Sequence, residues 1–153
     1  MPTEARSGQA TEFAADAASL RLTVGRLSRL LRRQESDGVT PSQISVLATL
    51  HTSGAMRMGD LAAREGVAAP TVTRQIAILE ASGLVARNPD PTDGRSSVIA
   101  LTRAGNRYVS TVRAKRTAYL SARIAALSHA DRRRLAAALP VLQQLATDDE
   151  VSR

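Results

Sequence analysis

Cysteine is absent from all 153 residues. That one absence removes disulfides, thiolate catalysis, zinc–cysteine sites and any thiol redox switch. Histidine is almost as scarce: His51 and His129 stand far apart, with no carboxylate–histidine spacing that suits a metal or a catalytic pair, so the chain does not read as an enzyme and implies no metal or cofactor. The segment GVAAPT lacks both the glycines and the lysine of a loop that cradles nucleotide phosphates. Aromatic residues make up only 2%, namely Phe13, Tyr108 and Tyr119. The core must therefore be built from Leu, Val, Ile and Ala, which favours packed helices. No apolar run approaches the ~18 to 20 residues of a membrane span, and MPTEARSGQ has no apolar centre of a signal peptide. The expected location is the cytoplasm, at the nucleoid, with no membrane partner.

Lysine is the other near-absence: Lys115 stands alone beside 20 arginines. The preference for arginine over lysine is what a GC-rich genome produces. The net charge of +7 and a pI near 11.3 are a separate matter, and they point to a polyanionic partner. The length is that of one ordinary domain, whose thin core a dimer interface would relieve.

Residues 1–11 are polar and patternless and read as a flexible tail. Phe13, Ala17, Leu20, Val24, Leu27 and Leu31 then recur at alternating spacings of four and three, a stripe down one face of a long helix that ends near Gly38. TPSQISVLATLHTSG opens with Thr40 as N-cap, Pro41 at the first helical position and Gln43 completing a capping box. Ile44, Leu47 and Leu50 form its buried face, and Gly54 ends it. A short helix centred on Leu61 stops at Gly66. Another follows, with Val72, Ile76 and Leu79 facing inward and Gly83 in the place of a left-handed C-terminal cap. Helices joined in this way make a tri-helical helix-turn-helix.

The segment RNPDPTDGRSSVIALTRAG then breaks the helical texture. LVARN and SSVIALT are β-prone runs around a Pro, Asp and Gly turn, which makes a wing over 84–102. Beyond it Thr102 caps a helix carrying Tyr108, Val109, Val112, Tyr119, Leu120, Ile124 and Leu127. Ser128, with Asp131 three residues on, caps a last helix bearing Leu135, Leu139, Leu142 and Leu145, which Pro140 is expected to bend rather than break.

With Val72, Ile76 and Leu79 inward, Thr71, Arg74, Gln75 and Ile78 face outward and Thr73 lies at the flank. Arg can fork onto guanine, Gln onto adenine, and Thr can bond phosphate, so this face suits a DNA groove. Arg95, directly after the turn residue Gly94, is placed to enter a minor groove, and Asp93 to hold an arginine or the turn backbone. Arg87, at the base of the hairpin, is either a phosphate contact or solvated. His51 reads as an interface or core-edge residue, with lining a ligand pocket as its alternative role.

These residues carry a resemblance. SVLATL, MGDLAAREGVAAPTVTRQIAILEASGLVAR and DPTDGRSSVIALTRAG resemble the MarR (multiple antibiotic resistance regulator) family of bacterial winged-helix repressors, densely from Thr40 to Gly105. The resemblance implies a mainly α fold: a winged helix-turn-helix over 38–103, helices at 12–36 and 104–147 that form a dimerisation region with a second copy, and a C-terminal tail over 148–153. It implies that Pro70, Thr71, Thr73, Arg74 and Gln75 enter a major groove, with Asp93, Gly94 and Arg95 in the wing. The function so implied is that of a homodimeric transcriptional repressor on an inverted-repeat double-stranded DNA operator, released by a phenolic or lipophilic small-molecule effector held between the dimerisation helices and the DNA-binding lobe. The alternatives are a ligand-independent nucleoid protein that binds by charge alone, and a protein-interaction module. Similar proteins have hydroxyl caps where this chain has Arg57 and Ala68. Two helices are thus expected to lack cap energy, and Arg57, a cation against the dipole of a helix start, is expected near phosphate.

Overall fold

The computed structural model describes residues 3–34, 38–93 and 96–147, with side chains from residue 13 onward. Two units divide the chain, Met1–Arg116 and Thr117–Arg153. In the first, α1 (Thr3–Arg32) is followed by α2 (Pro41–Ser53), α3 (Met58–Glu65) and α4 (Ala69–Ala81), which pack on a small sheet of β1 (Met56–Arg57), β2 (Val85–Pro89) and β3 (Ser97–Leu101). Helix α5 (Arg103–Ala125) begins in this unit and ends in the second, which also holds α6 (His129–Leu145). Among the described residues no helix is long and apolar enough to cross a membrane.

The termini follow local chemistry. At α2 the Gln43 amide donates to Thr40 Oγ1 at 3.3 Å and the Thr40 amide donates to Gln43 Oε1 at 2.8 Å, the reciprocal pair of a capping box. Gly66 (φ 63°) ends α3 in the left-handed region, where a side chain would be strained. Thr102 caps α5 by accepting from the Gly105 amide at 3.0 Å, and Ser128 caps α6 by accepting from the Asp131 amide at 3.1 Å. Helices α3 and α4 have no side-chain cap bond, as Arg57 and Ala68 led one to expect. Helix α6 runs unbroken through Pro140. Helix α1 begins at Thr3, inside the segment read as a tail, because residues 4–10 include Glu, Ala, Arg and Gln, helix formers that need no apolar stripe. The segment over 148–153 lies outside the described residues.

Strand β1 had no counterpart in the sequence reading. It is only Met56 and Arg57, paired antiparallel with Ile99 and Val98 of β3, so the sheet order is β1-β3-β2. The wing strands pair from Val85↔Leu101 out to Pro89↔Ser97.

The core gathers from α2 to α5 and the sheet: Val46, Leu47 and Leu50 of α2, Leu61 of α3, Val72, Ile76 and Leu79 of α4, Val85 and Ile99 of the sheet, and Val109 of α5, each at most 5% exposed. At about 1.5–3 kcal/mol for each fully buried side chain, this cluster is the main cohesive force of the first unit. It also fixes the roll of α4, since burying Val72, Ile76 and Leu79 determines which of its residues meet solvent. The stripe on α1 behaves differently. Phe13 is 66% and Val24 52% exposed, and in the second unit Leu139, Val141 and Leu145 of α6 are about half exposed or more.

Candidate nucleic-acid interface

Thr71, Arg74 and Ile78 lie on the exposed side of α4, and Gln75 is half-buried beside them. Their spacing of three, four and seven from Thr71 places all four on one stripe. Pro70 opens the helix at a position where its missing N–H is no loss. The stripe forms one wall of a groove of about 600 Å3 whose opposite wall is the start of α2, with Thr40 and Ser42. The α2 wall offers the Thr40 and Ser42 hydroxyls, since Pro41 has no N–H and the Thr40 and Gln43 amides are spent within the capping box, and Arg74 adds a full positive charge opposite. Sequence reasoning did not assign Thr40 or Ser42 to this surface, because nothing local connects them with residues 30 positions on. Thr73 is exposed at the flank, and its hydroxyl donates to the Ala69 carbonyl at 2.9 Å. In this rotamer the Thr73 hydrogen is not available to a phosphate.

The wing stands on β2 and β3. At its base, Arg87 Nε lies 3.1 Å from Glu80 Oε2, with both side chains 40% exposed, which ties β2 to the end of α4. An exposed pair of this kind contributes at most about 1 kcal/mol. Asp93 takes part in the turn through its backbone, donating to Asp90 O at 3.3 Å and accepting from the Ser96 amide at 2.9 Å. Gly94 and Arg95 lie outside the described residues.

The carboxylate that organises the turn is Asp90, which sequence reasoning passed over. It is 6% exposed. Its Oδ1 accepts from the Thr92 amide at 2.8 Å and the Thr92 hydroxyl at 2.7 Å, an Asx turn. Its Oδ2 accepts from Arg57 Nε at 2.6 Å and from the Ser96 hydroxyl at 3.1 Å. The Thr92 hydroxyl and amide, then Arg57, hold the Asp90 carboxyl well below the usual carboxylate range, against the opposing effect of burial. Arg57 is in turn raised, first by its hydrogen bond to Asp90. Within the chain the Arg57 cation meets a carboxylate delivered by the wing, while its side chain stays 49% exposed. The available signal was the Asp-Pro-Thr run itself, whose turn chemistry buries an acid that needs a donor.

His51 lies in the last turn of α2, its Nδ1 3.2 Å from Asn106 Oδ1 on α5. It joins the two helices at the edge of the core. A separate cavity of about 270 Å3 lies among α1, α2 and α5, bordered by Leu31, Ile44, Ala48 and Arg116, and His51 does not line it.

The MarR family model matches residues 39–97 of this chain, which covers the groove, the ion pair of Arg57 and Asp90 and most of the wing. An HTH-type transcriptional regulator of Mycobacterium bovis is 44% identical over 117 residues, 76% of this chain and 82% of that protein. The HTH-type transcriptional repressor MdtR of Bacillus subtilis is 31% identical over 79% of this chain and 78% of its own length. Among solved structures, a protein of Pseudomonas aeruginosa described as a transcriptional regulator superposes with a TM-score of 0.78 at 34% identity, over 87% of this chain and 94% of that one.

Proposed function

This chain belongs to the MarR family of winged helix-turn-helix transcriptional regulators, and from that membership we propose that it works as a homodimeric repressor on an inverted-repeat operator. The observation that carries the reading is the stripe of Thr71, Arg74, Gln75 and Ile78, which the core turns outward into a groove walled by the start of α2. Arg74 offers a fork for guanine, Gln75 a pair of bonds for adenine, and Ile78 an apolar contact for a thymine methyl. The wing, with Arg87 at its base, follows the backbone into the neighbouring minor groove, a contact to which the sequence assigns Asp93, Gly94 and Arg95.

Dimerisation is supported by the apolar residues that α1 and α6 leave in water, Phe13, Val24, Leu139 and Leu145 among them. Two-fold symmetry then sets two recognition helices in successive major grooves about 34–36 Å apart, and the operator repeats in inverted sense. Repression follows from occupying the site that polymerase needs, the role printed in the name of the relative MdtR.

A small effector would enter the cavity among α1, α2 and α5, whose lining mixes Leu31, Ile44 and Ala48 with serine and arginine side chains. It releases DNA only if it binds the DNA-competent dimer less well than an alternative arrangement. The test is selection of binding sites from random duplex DNA, followed by competition at several salt concentrations. A regulator enriches an inverted repeat and keeps a large gap between operator and random DNA. A nucleoid protein that binds by charge loses that gap, and a protein-interaction module enriches nothing.

A further inference from the structure

We propose that Arg57 and Asp90 form a staple that positions the wing for DNA, with Arg57 acting on the nucleic acid only through the hairpin it holds. The inference rests on the reading of this surface as a DNA interface and adds to it a pair of positioning residues that touch no nucleotide.

The connectivity carries the argument. Arg57 is at once the last residue of β1 and the residue before α3, so its backbone belongs to the helix-turn-helix. Its side chain reaches 33 positions along the chain to Asp90, with Nη2 also 3.4 Å from Thr92 Oγ1. Asp90 follows directly on the last paired residue of β2, where the ladder ends at Pro89↔Ser97. Beyond that rung the described part of the turn is held by the Asp90 carboxylate, which collects donors from Thr92, Ser96 and Arg57. Arg57 alone among these donors comes from outside the wing. It therefore ties the turn to the helix-turn-helix beyond the last rung of the ladder, as Arg87 and Glu80 tie the base.

Two further observations separate this role from a phosphate contact. Besides Asp90, the carboxylates of Asp93 and Asp60 also act on the Arg57 charge, so the guanidinium faces acids. Arg57 also stands where a hydroxyl residue would cap α3, and it makes no cap bond. A residue that gives up a cap to reach the wing leaves a measurable trace: replacing it with a capping residue should help the helix and harm the interface.

The experiment compares the full-length chain with Arg57→Thr, Asp90→Asn and the double variant, on an operator selected by the unmodified chain. Expected results are an unchanged or raised melting temperature for Arg57→Thr, roughly tenfold weaker operator binding for each single variant, and no further loss in the double variant, since both changes break one link. Amide exchange at Thr92 and Ser96 should be faster in both single variants. Asp90→Asn is the sharpest arm. If charge alone mattered, removing an acid from a DNA-facing surface would tighten binding. Binding of Asp90→Asn as tight as that of the unmodified chain, additive losses in the double variant, or weaker binding without faster wing exchange would each overturn the staple. Should Asp90→Asn fail to fold, affinity and exchange in Arg57→Thr decide the matter. If the unmodified chain selects no sequence, the DNA reading falls and takes the staple with it; if it selects one and the variants match it, the staple alone falls.

Discussion

Replacing Gly105 with alanine isolates the joint between the wing and α5. An added Cβ would lie 2.0 Å from the Leu84 carbonyl oxygen, 3.0 Å from its carbon and 3.2 Å from Leu101 Cδ2. The backbone must therefore part by about 1 Å, since a Cβ is essentially never found within 3.0 Å of such an atom. The Leu84 carbonyl is not free to move. It accepts from the Thr102 amide at 3.1 Å and the Thr102 hydroxyl at 3.3 Å, and that hydroxyl donates to the Gly83 carbonyl at 2.6 Å while capping α5 through the Gly105 amide. Overpacking costs about 1–3 kcal/mol, and weakening the cap and a strained hydrogen bond adds about 1–2 kcal/mol. Alanine returns about 1 kcal/mol of helix propensity, leaving a net loss of about 1–4 kcal/mol. Gly59 in α3 is the internal control, because its added Cβ meets nothing within 4 Å. Gly59→Ala should stabilise by about 0.4–1 kcal/mol. Urea unfolding at one fixed protein concentration measures both, as the stability of an oligomer depends on concentration. If Gly105→Ala were as stabilising as Gly59→Ala, the packing argument would be refuted.

Three further outcomes are expected. Thr40→Ala should lower stability by about 1 kcal/mol by opening the capping box, whereas Ala68→Ser should raise it by a similar amount by capping α4; equal effects of one sign in thermal melts would contradict the cap assignments. Arg74→Ala should weaken operator binding by about 1–3 kcal/mol while moving the unfolding midpoint little, read by fluorescence anisotropy beside a melt, and unchanged affinity would remove Arg74 from the interface. The Asp90 carboxyl is depressed in the fold, so its contribution to stability is present above the ordinary carboxylate value of 3.8 and is lost only as pH falls through its lower folded value. The 13C resonance of that carboxyl should therefore stay flat as pH falls through 3.8, and a midpoint at 3.8 would mean that the network does not form.

Much of this was legible because it is local. The capping box at Thr40, the stops at Gly54 and Gly66 and the inward set of Val72, Ile76 and Leu79 are each encoded within a few residues, and each is found as read. From the roll of α4 follows the outward stripe, so the face proposed to meet DNA was readable as well. Strand β1 was not, because two residues cannot show a period and Met56 owes its burial to Ile99, 43 positions away. The partner of Arg57 within the chain was hidden for the same reason, since Asp90 lies 33 positions further on, in the wing. The start of α1 was read too late, because apolar periodicity marks where a helix packs and not where it begins.

The central claim is that the α4 stripe and the wing, duplicated by a second copy, read duplex DNA. Hydroxyl-radical footprinting of the operator selected from random DNA tests it most directly. The account predicts two equivalent protected patches on one face of the duplex, about one helical turn apart and related by two-fold symmetry. A single patch, or uniform protection of every sequence offered, would contradict it.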